Sequence, residues 1–313
     1  FEKYRKGVSN KKLAHKTYTP IDYSAIISCT TFGIGVVIMK EISGQTNVLS
    51  MRFGSGSTKG IGKEIGKFVI VTMEIPWNLT KTVIGGTPEQ VLFVDSVDQV
   101  FLDQKLLGLP ECDTIIGIGG GLAVDAAKYF CWKRNLRLVT IPTVLSVNAF
   151  VTPATGIRIN HEVKYIGVTS PNPLIIDYDI LRTAPRGLNI AGIGDLLSIH
   201  TASFDWEYAE SKGKSEYAFS DLATKEAKSI LIDICSMASE IRDVTNEGLL
   251  AIVEGYMKLN AICIPLDHFR VEEGSEHFLF YELEERLKRS FIHGHIIGLG
   301  IYQMSRLQDN QVE

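Results

Sequence analysis

The sequence predicts an N-terminal α/β domain built on a parallel sheet, followed by an all-helical C-terminal domain. Three observations carry this. Between residues 51 and 178, short and continuously apolar segments alternate with helical ones, the pattern of strands buried on both faces. Beyond about residue 180, apolar residues recur at three- and four-residue spacing with no convincing strand among them. A length of 313 residues suits two domains. The division falls near Pro173 to Pro185, which gives 1–178 and 179–313.

Residues 1–50 are the least readable part. "SAIIS" and "GIGVVIM" read there as short strands with no chemistry attached. "VLSMRFGSGST" then reads as a strand and a glycine-rich turn, "KGIGKEIGK" as a short helix and "FVIVTM" as a buried strand. "EQVLFVD", "DTIIGIG", "LRLVTIPT" and "NPLIIDY" follow as strands, with helical or loop material between them. The helices that come after are "GDLLSIHTASFDWEYAE", "SDLATKEAKSILIDICSMASEI", "NEGLLAIVEGYMKLNAICI", "SEHFLFYELEERLKR" and "HIIGLGIYQMSRL".

The composition is that of a soluble globular chain, 45% hydrophobic and 22% charged. A net charge of −4 with interspersed signs argues against a nucleic-acid groove or an anionic membrane surface. The basic stretch "EKYRKGVSNKKLAHK" reads as a solvated, mobile end. No apolar run is expected to reach the ~20 residues that span a bilayer, so no membrane insertion is expected. The five cysteines, Cys29, Cys112, Cys131, Cys235 and Cys263, never form a close pair. They fit a reducing compartment, each as a small buried hydrophobe, and a cytoplasmic protein is the expectation. The chain opens on Phe1 rather than Met, so a missing N-terminus is expected too.

"TIIGIGGGLAVDAAKYF" places Gly117, Gly119, Gly120 and Gly121 between a strand and a helix. Such a loop lets the backbone approach an anion, which the first helical N–H groups and the helix dipole then stabilise. A tight strand-to-helix turn is an equal reading of the same glycines. The usual dinucleotide fingerprint is absent, because Leu122 stands at its last glycine and no acidic residue follows some twenty positions on. Asp95, at the end of "QVLFVD", reads as a surface turn residue.

His277 and His293 lie sixteen positions apart, which on one continuous helix is about 160° off a shared face. A break is needed, and "KRSFIHG" supplies it: Lys288 and Arg289 suit a helix C-terminus, and Gly294 opens the next segment. Two helices meeting there could aim both imidazoles at one point. Asp195, following Gly192 and Gly194 at a helix start, is an available third ligand. Two histidines and a carboxylate leave positions open, as in catalytic zinc sites. Taken singly, each histidine reads first as a hydrogen-bonded residue at a helix end.

"GGGLAVDAAK", "IPTVLS" and "AGIGDLLSIHTASFDW" in this order resemble the superfamily of iron-containing alcohol dehydrogenases, glycerol dehydrogenases and dehydroquinate synthases. The last segment resembles its sn-glycerol-1-phosphate dehydrogenase branch. The resemblance covers roughly residues 50 to 305 and implies a Rossmann-like first domain in a dehydroquinate synthase-like fold. It also implies an NAD or NADP cofactor on Gly119, Gly120, Gly121, Asp125, Lys128, Thr143, Ser146 and Thr152. One divalent metal is implied on Asp195, His277 and His293, zinc first, with iron and nickel as alternatives. The metal would act as a Lewis acid on a carbonyl or alcohol oxygen while hydride passes to or from the nicotinamide. The implied activity is oxidation or reduction of a small polyol or polyol phosphate, glycerol-1-phosphate and dihydroxyacetone phosphate first. Homo-oligomers are common among such enzymes.

The chain departs from that pattern where the family has a substrate-contacting Asp and a second His. Here these positions hold Asn148 and Tyr281, which with Asp195 are the candidate catalytic residues. Asn148 cannot ionise, and an unperturbed Tyr titrates near ~10 rather than ~6.5. The expectation is that Tyr281 donates or relays a hydrogen bond. His295 replaces the usual Glu after "HG", and His200, His268 and His295 are expected at the surface or behind the ligands. Either this version is shorter than the family or a tail is missing. A sugar-phosphate cyclase of the dehydroquinate synthase type, and a non-catalytic relative, are the alternative readings.

Overall fold

A computed structural model of the protein describes residues 38–41 and 46–310. "SAIIS", Cys29 and the basic stretch lie outside the described residues, as does most of "GIGVVIM". The strands are β1 (Ile38–Glu41), β2 (Ser50–Phe53), β3 (Phe68–Thr72), β4 (Gln90–Phe93), β5 (Thr114–Gly119), β6 (Arg137–Pro142), β7 (Thr155–Ile159), β8 (Glu162–Ile166) and β9 (Pro171–Ile176). Seven form one sheet in the order β1-β2-β9-β6-β5-β3-β4, with β1 antiparallel to β2 and all other neighbours parallel. The parallel sheet expected from the apolar runs is therefore present.

Its strands are apolar throughout because both faces are covered. Val69, Val71 and Ile115 pack on one side with Ala126, Ala127 and Phe130. Phe68, Ile70, Ile116 and Ile118 pack on the other with Ile61, Ile84 and Ile180. The helices of this region are α1 (Ile61–Glu64), α2 (Glu74–Thr80), α3 (Gln99–Leu107) and α4 (Gly121–Arg134). From β3 the chain steps outward to β4, and from β5 it steps the other way to β6. Strand order thus reverses between β3 and β5, the place where open α/β sheets form a ligand crevice at their carboxyl ends.

The segment from Thr155 to Ile166, to which the sequence reading assigns no strand, is a hairpin. Its turn residues Asn160 and His161 both have positive φ, 53° and 68°, as a two-residue primed turn requires. Asn-His in place of Asn-Gly conceals that turn in the sequence.

Beyond β9 the described elements are all helical: α5 (Tyr178–Leu181), α6 (Arg186–Ala191), α7 (Ile193–Leu197), α8 (Ile199–Ser211), α9 (Asp221–Ser236), α10 (Ala238–Arg242), α11 (Asn246–Leu266), α12 (Ser275–Leu287) and α13 (His293–Leu307). One apolar cluster joins them to β2 and β9 of the sheet, with Met51, Leu174 and Ile176 in the same cluster as residues such as Leu196, Trp206 and Val253. The expectation about apolar runs needs correction. Helix α11 has 21 residues and a mean hydropathy of 1.5 in its most apolar window, enough in length and composition to cross a membrane. It is apolar nearly all round because 61% of that window is buried inside the protein. The cysteine reading also holds only in part: Cys131 and Cys263 are buried, Cys112 is half-buried and Cys235 is exposed.

Candidate metal centre and cofactor cleft

Helix α12 ends at Lys288, whose left-handed backbone (φ 51°) stops it, and α13 begins anew at His293. The change of direction turns His293 towards His277, with ring centroids 5.2 Å apart. Asp195 arrives from α7 because glycines let the two helix starts touch. A methyl group on Gly194 would lie 2.6 Å from the Gly294 carbonyl oxygen, and one on Gly294 would lie 1.7 Å from that of Ala191. His293 Nε2 then lies 2.9 Å, and His277 Nε2 3.8 Å, from Asp195 Oδ1. One ligand atom from each of the three residues falls within 4.8 Å of the others.

Asp195 Oδ1 is buried and no donor is aligned to it as a hydrogen bond, although His293 Nε2 is close. A buried carboxylate oxygen without a hydrogen bond, flanked by two imidazole nitrogens, fits a divalent cation. Burial opposes charge on Asp195, but the close imidazoles of His293 and His277 outweigh it and hold the carboxyl below its usual range. His277 behaves in the opposite sense. Burial disfavours its proton, yet Glu276, Glu273 and Asp195 together raise it to about 9.

Glu276 explains how His277 is aimed. It is fully buried, accepts from Thr201 Oγ1 at 2.6 Å and from the Gly274 amide at 2.6 Å, and lies 2.9 Å from His277 Nδ1. Its carboxyl is held below the usual range, so Nδ1–H donates to it, and Nε2, turned towards Asp195, is the nitrogen that binds a metal once its proton is lost. Sequence reasoning missed this partner, although it stands directly before the histidine in "SEH".

A cavity of about 440 Å³ runs from the glycine loop to these ligands. Gly121, Asp125, Ser146, Asn148 and Thr152 line one part, and Asp195, His277 and His293 line the other. Gly119, Gly120, Lys128, Thr143 and Tyr281 are not among its lining residues. Gly119 takes φ 149° at the end of β5, and its carbonyl accepts from the Thr143 amide at 3.0 Å. The glycine loop and the segment 143–146 are therefore brought together. Lys128 is buried under the cleft floor, bonded to Asp125 at 3.3 Å, to the Ala149 carbonyl at 3.0 Å and to Thr152 and Ala154. Asp125 also accepts from the Gly156 amide at 3.1 Å, which ties the hairpin to α4. Tyr281 sits behind the lining, its hydroxyl 3.5 Å from that of Tyr165 and its ring centroid 6.4 Å from that of His277. Burial and the charge of Glu273 push its hydroxyl well above the ordinary range, so it stays protonated.

Other cleft residues escape the sequence reading altogether. Glu272 and Glu273 line the cavity, and burial pushes both carboxyls upward. Arg158 of the hairpin and Glu284 of α12 line it as an ion pair at 2.7 Å. Among the remaining histidines, His200 bonds the Asn310 carbonyl at 2.8 Å and His295 is exposed. His268 corrects its expectation: it is buried against Trp206 and Tyr217, and burial lowers it to about 4. Asp95 is exposed, as expected, and outside the cleft lining.

A family model described as iron-containing alcohol dehydrogenase matches residues 88–185. Among curated proteins, the glycerol-1-phosphate dehydrogenase of Aeropyrum pernix is 31% identical, over 62% of this chain and 55% of its own. That of Hyperthermus butylicus is 31% identical, over 72% and 65%. That of Pyrobaculum neutrophilum is 28% identical, over 86% and 80%. The chain thus spans about half to two thirds of the length of the first two relatives. Similar solved structures include a probable glycerol dehydrogenase from Sinorhizobium meliloti, at TM-score 0.66 and 18% identity over 85% of this chain and 78% of its own. A glycerol dehydrogenase from Schizosaccharomyces pombe follows at 0.65 and 23%, over 83% and 71%. Motif order, fold and relatives agree in what this chain is similar to: the iron-containing alcohol dehydrogenase superfamily, and within it the glycerol-1-phosphate dehydrogenases.

Proposed function

We propose that this chain is a metal-dependent, NAD(P)-linked oxidoreductase acting on a small polyol or polyol phosphate. The observation that carries the reading is a single cleft with a glycine loop at a helix N-terminus on one side and Asp195, His277 and His293 on the other. The glycerol-1-phosphate dehydrogenases, named with NAD(P)+, make glycerol-1-phosphate and dihydroxyacetone phosphate the first substrates to test.

In this reading residues 1–178 hold the nucleotide and 179–313 hold the metal. Gly119, Gly120 and Gly121 clear the backbone for the pyrophosphate, and Ser146 and Thr152 offer hydroxyls along the same wall. Asp125 and Lys128 hold the hairpin and the 149–154 segment in position rather than meeting the nucleotide. A divalent cation, zinc first among zinc, iron and nickel, supplies Lewis acidity towards a carbonyl or alcohol oxygen. Asn148, lining the cleft beside Asp195, offers its amide to a substrate hydroxyl. Tyr281 acts from behind the lining, as a positioning hydrogen-bond partner of Tyr165. A cytoplasmic homo-oligomer belongs to the same proposal.

The test follows NADH and NADPH absorbance with zinc-loaded protein and dihydroxyacetone phosphate or dihydroxyacetone. Oxidation that falls by about a hundredfold or more in Asp195→Ala is the expected result. No oxidation with either nucleotide and either carbonyl overturns the proposal.

A further inference from the structure

The charges lining the cleft are lopsided. Among the described residues that line it, five are carboxylates (Asp125, Asp195, Glu272, Glu273 and Glu284), and Arg158 is the sole Lys or Arg. Arg158 is already committed to Glu284, whose other oxygen accepts from the Phe291 amide at 3.2 Å. Lys128 lies under the floor, bound to Asp125 and to three residues of the 149–154 segment. The two histidines belong to the ligand set. Four of the carboxylates also have company: Asp125 has Lys128, Asp195 has the imidazoles, Glu284 has Arg158, and Glu272 takes the Cys263 thiol at 3.6 Å. Glu273 lines the cavity with no hydrogen-bond or ion-pair partner for its side chain among the described residues.

A phosphate dianion taken from water into such a site needs compensating donors and positive charge, usually Arg or Lys. Apart from the ion proposed on Asp195, His277 and His293, this cleft offers it one cation, Arg158, which is already neutralised. An open carboxyl suits a different ligand end: it accepts a hydrogen bond from a hydroxyl or an ammonium group, and protonated or not it gives phosphate no counter-charge. We propose that Glu273 is a specificity-determining residue, and that the substrate presents a hydrogen-bond-donating, non-anionic end beside the metal ligands rather than a phosphate. This rests on the oxidoreductase reading above and narrows its substrate to the unphosphorylated polyol class.

The experiment compares kcat/KM for dihydroxyacetone, dihydroxyacetone phosphate and aminohydroxyacetone in zinc-loaded wild type, Glu273→Gln and Glu284→Gln. The wild type is expected to favour the two non-anionic carbonyls by about tenfold or more, and each variant to shift the ratio towards phosphate by about tenfold. Glu273→Gln does so by removing the carboxylate, Glu284→Gln by releasing the charge of Arg158. A wild-type preference for the phosphate, or a ratio that Glu273→Gln leaves unmoved, overturns the proposal. Absence of turnover with every carbonyl defeats the oxidoreductase reading instead. Binding of glycerol-1-phosphate to the cobalt-loaded protein, followed by its visible absorption, then decides the present one. Affinity about tenfold higher in Glu273→Gln than in wild type supports it, and equal affinity overturns it.

Discussion

Glu276 and His277 are chain neighbours, and their contact sets the chemistry of the centre. The carboxylate fixes which imidazole nitrogen is free and raises the proton affinity of the ring. Two consequences can be read in one series of metal titrations. Glu276→Gln is expected to lower zinc affinity by about 10–100-fold, the usual loss when such a partner is removed. In the wild type, the folded metal-free protein holds the His277 proton up to about pH 9, against about 6.5 for an unperturbed histidine. That proton therefore contributes stability fully below about 6.5 and loses it as pH rises through about 9. Zinc needs the deprotonated ring, so its affinity should climb across that window and level off above it. A flat pH profile, or an unchanged affinity in the variant, contradicts the account. The convergence of Asp195, His277 and His293 is legible in the sequence through the family resemblance, since each histidine taken singly reads as an ordinary helix end. Glu272 and Glu273 are not legible. Two acids before a glycine read as a solvated turn, and only the packing of residues 269–274 brings them to the cleft.

Helix α7 meets α13 at two glycines, and that approach brings Asp195 to His293. An alanine at 294 would set a methyl group 1.7 Å from the Ala191 carbonyl oxygen, a main-chain atom that cannot swing aside. Gly294→Ala is expected to cost about 1–3 kcal/mol of stability and to weaken zinc binding with it, read by thermal melting with and without metal. Unchanged melting in both states would show that the helices do not depend on this contact. At this scale the break between α12 and α13 is plain in "KRSFIHG", since basic residues and a glycine mark the end and the restart. The β7–β8 hairpin is hidden, because Asn160 and His161 adopt positive φ without the glycine that normally advertises it. Helix α11 misleads in another way. Its apolar surface is set by burial among α7, α9 and α10, which a reading of the run alone does not reveal.

Across the whole molecule, the parallel sheet and its helical partner follow from patterns that survive at low resolution: runs buried on both faces, then helical periodicity. The cleft between them is less legible, because its walls come from segments far apart in the chain. Arg158 meets Glu284, and Asn260 holds the Val151 carbonyl at 3.0 Å. Such contacts tie the glycine-loop side to the metal side and make one cavity of two half-sites. Everything proposed for the function depends on that cavity holding a metal where the three ligands converge. The most direct measurement is the number of zinc or cobalt ions bound per chain at equilibrium, in wild type and in Asp195→Ala, His277→Ala and His293→Ala. One ion per chain in the wild type, with affinity down by about a hundredfold or more in each variant, is the predicted result. Binding that survives all three substitutions, or no binding in the wild type, contradicts it.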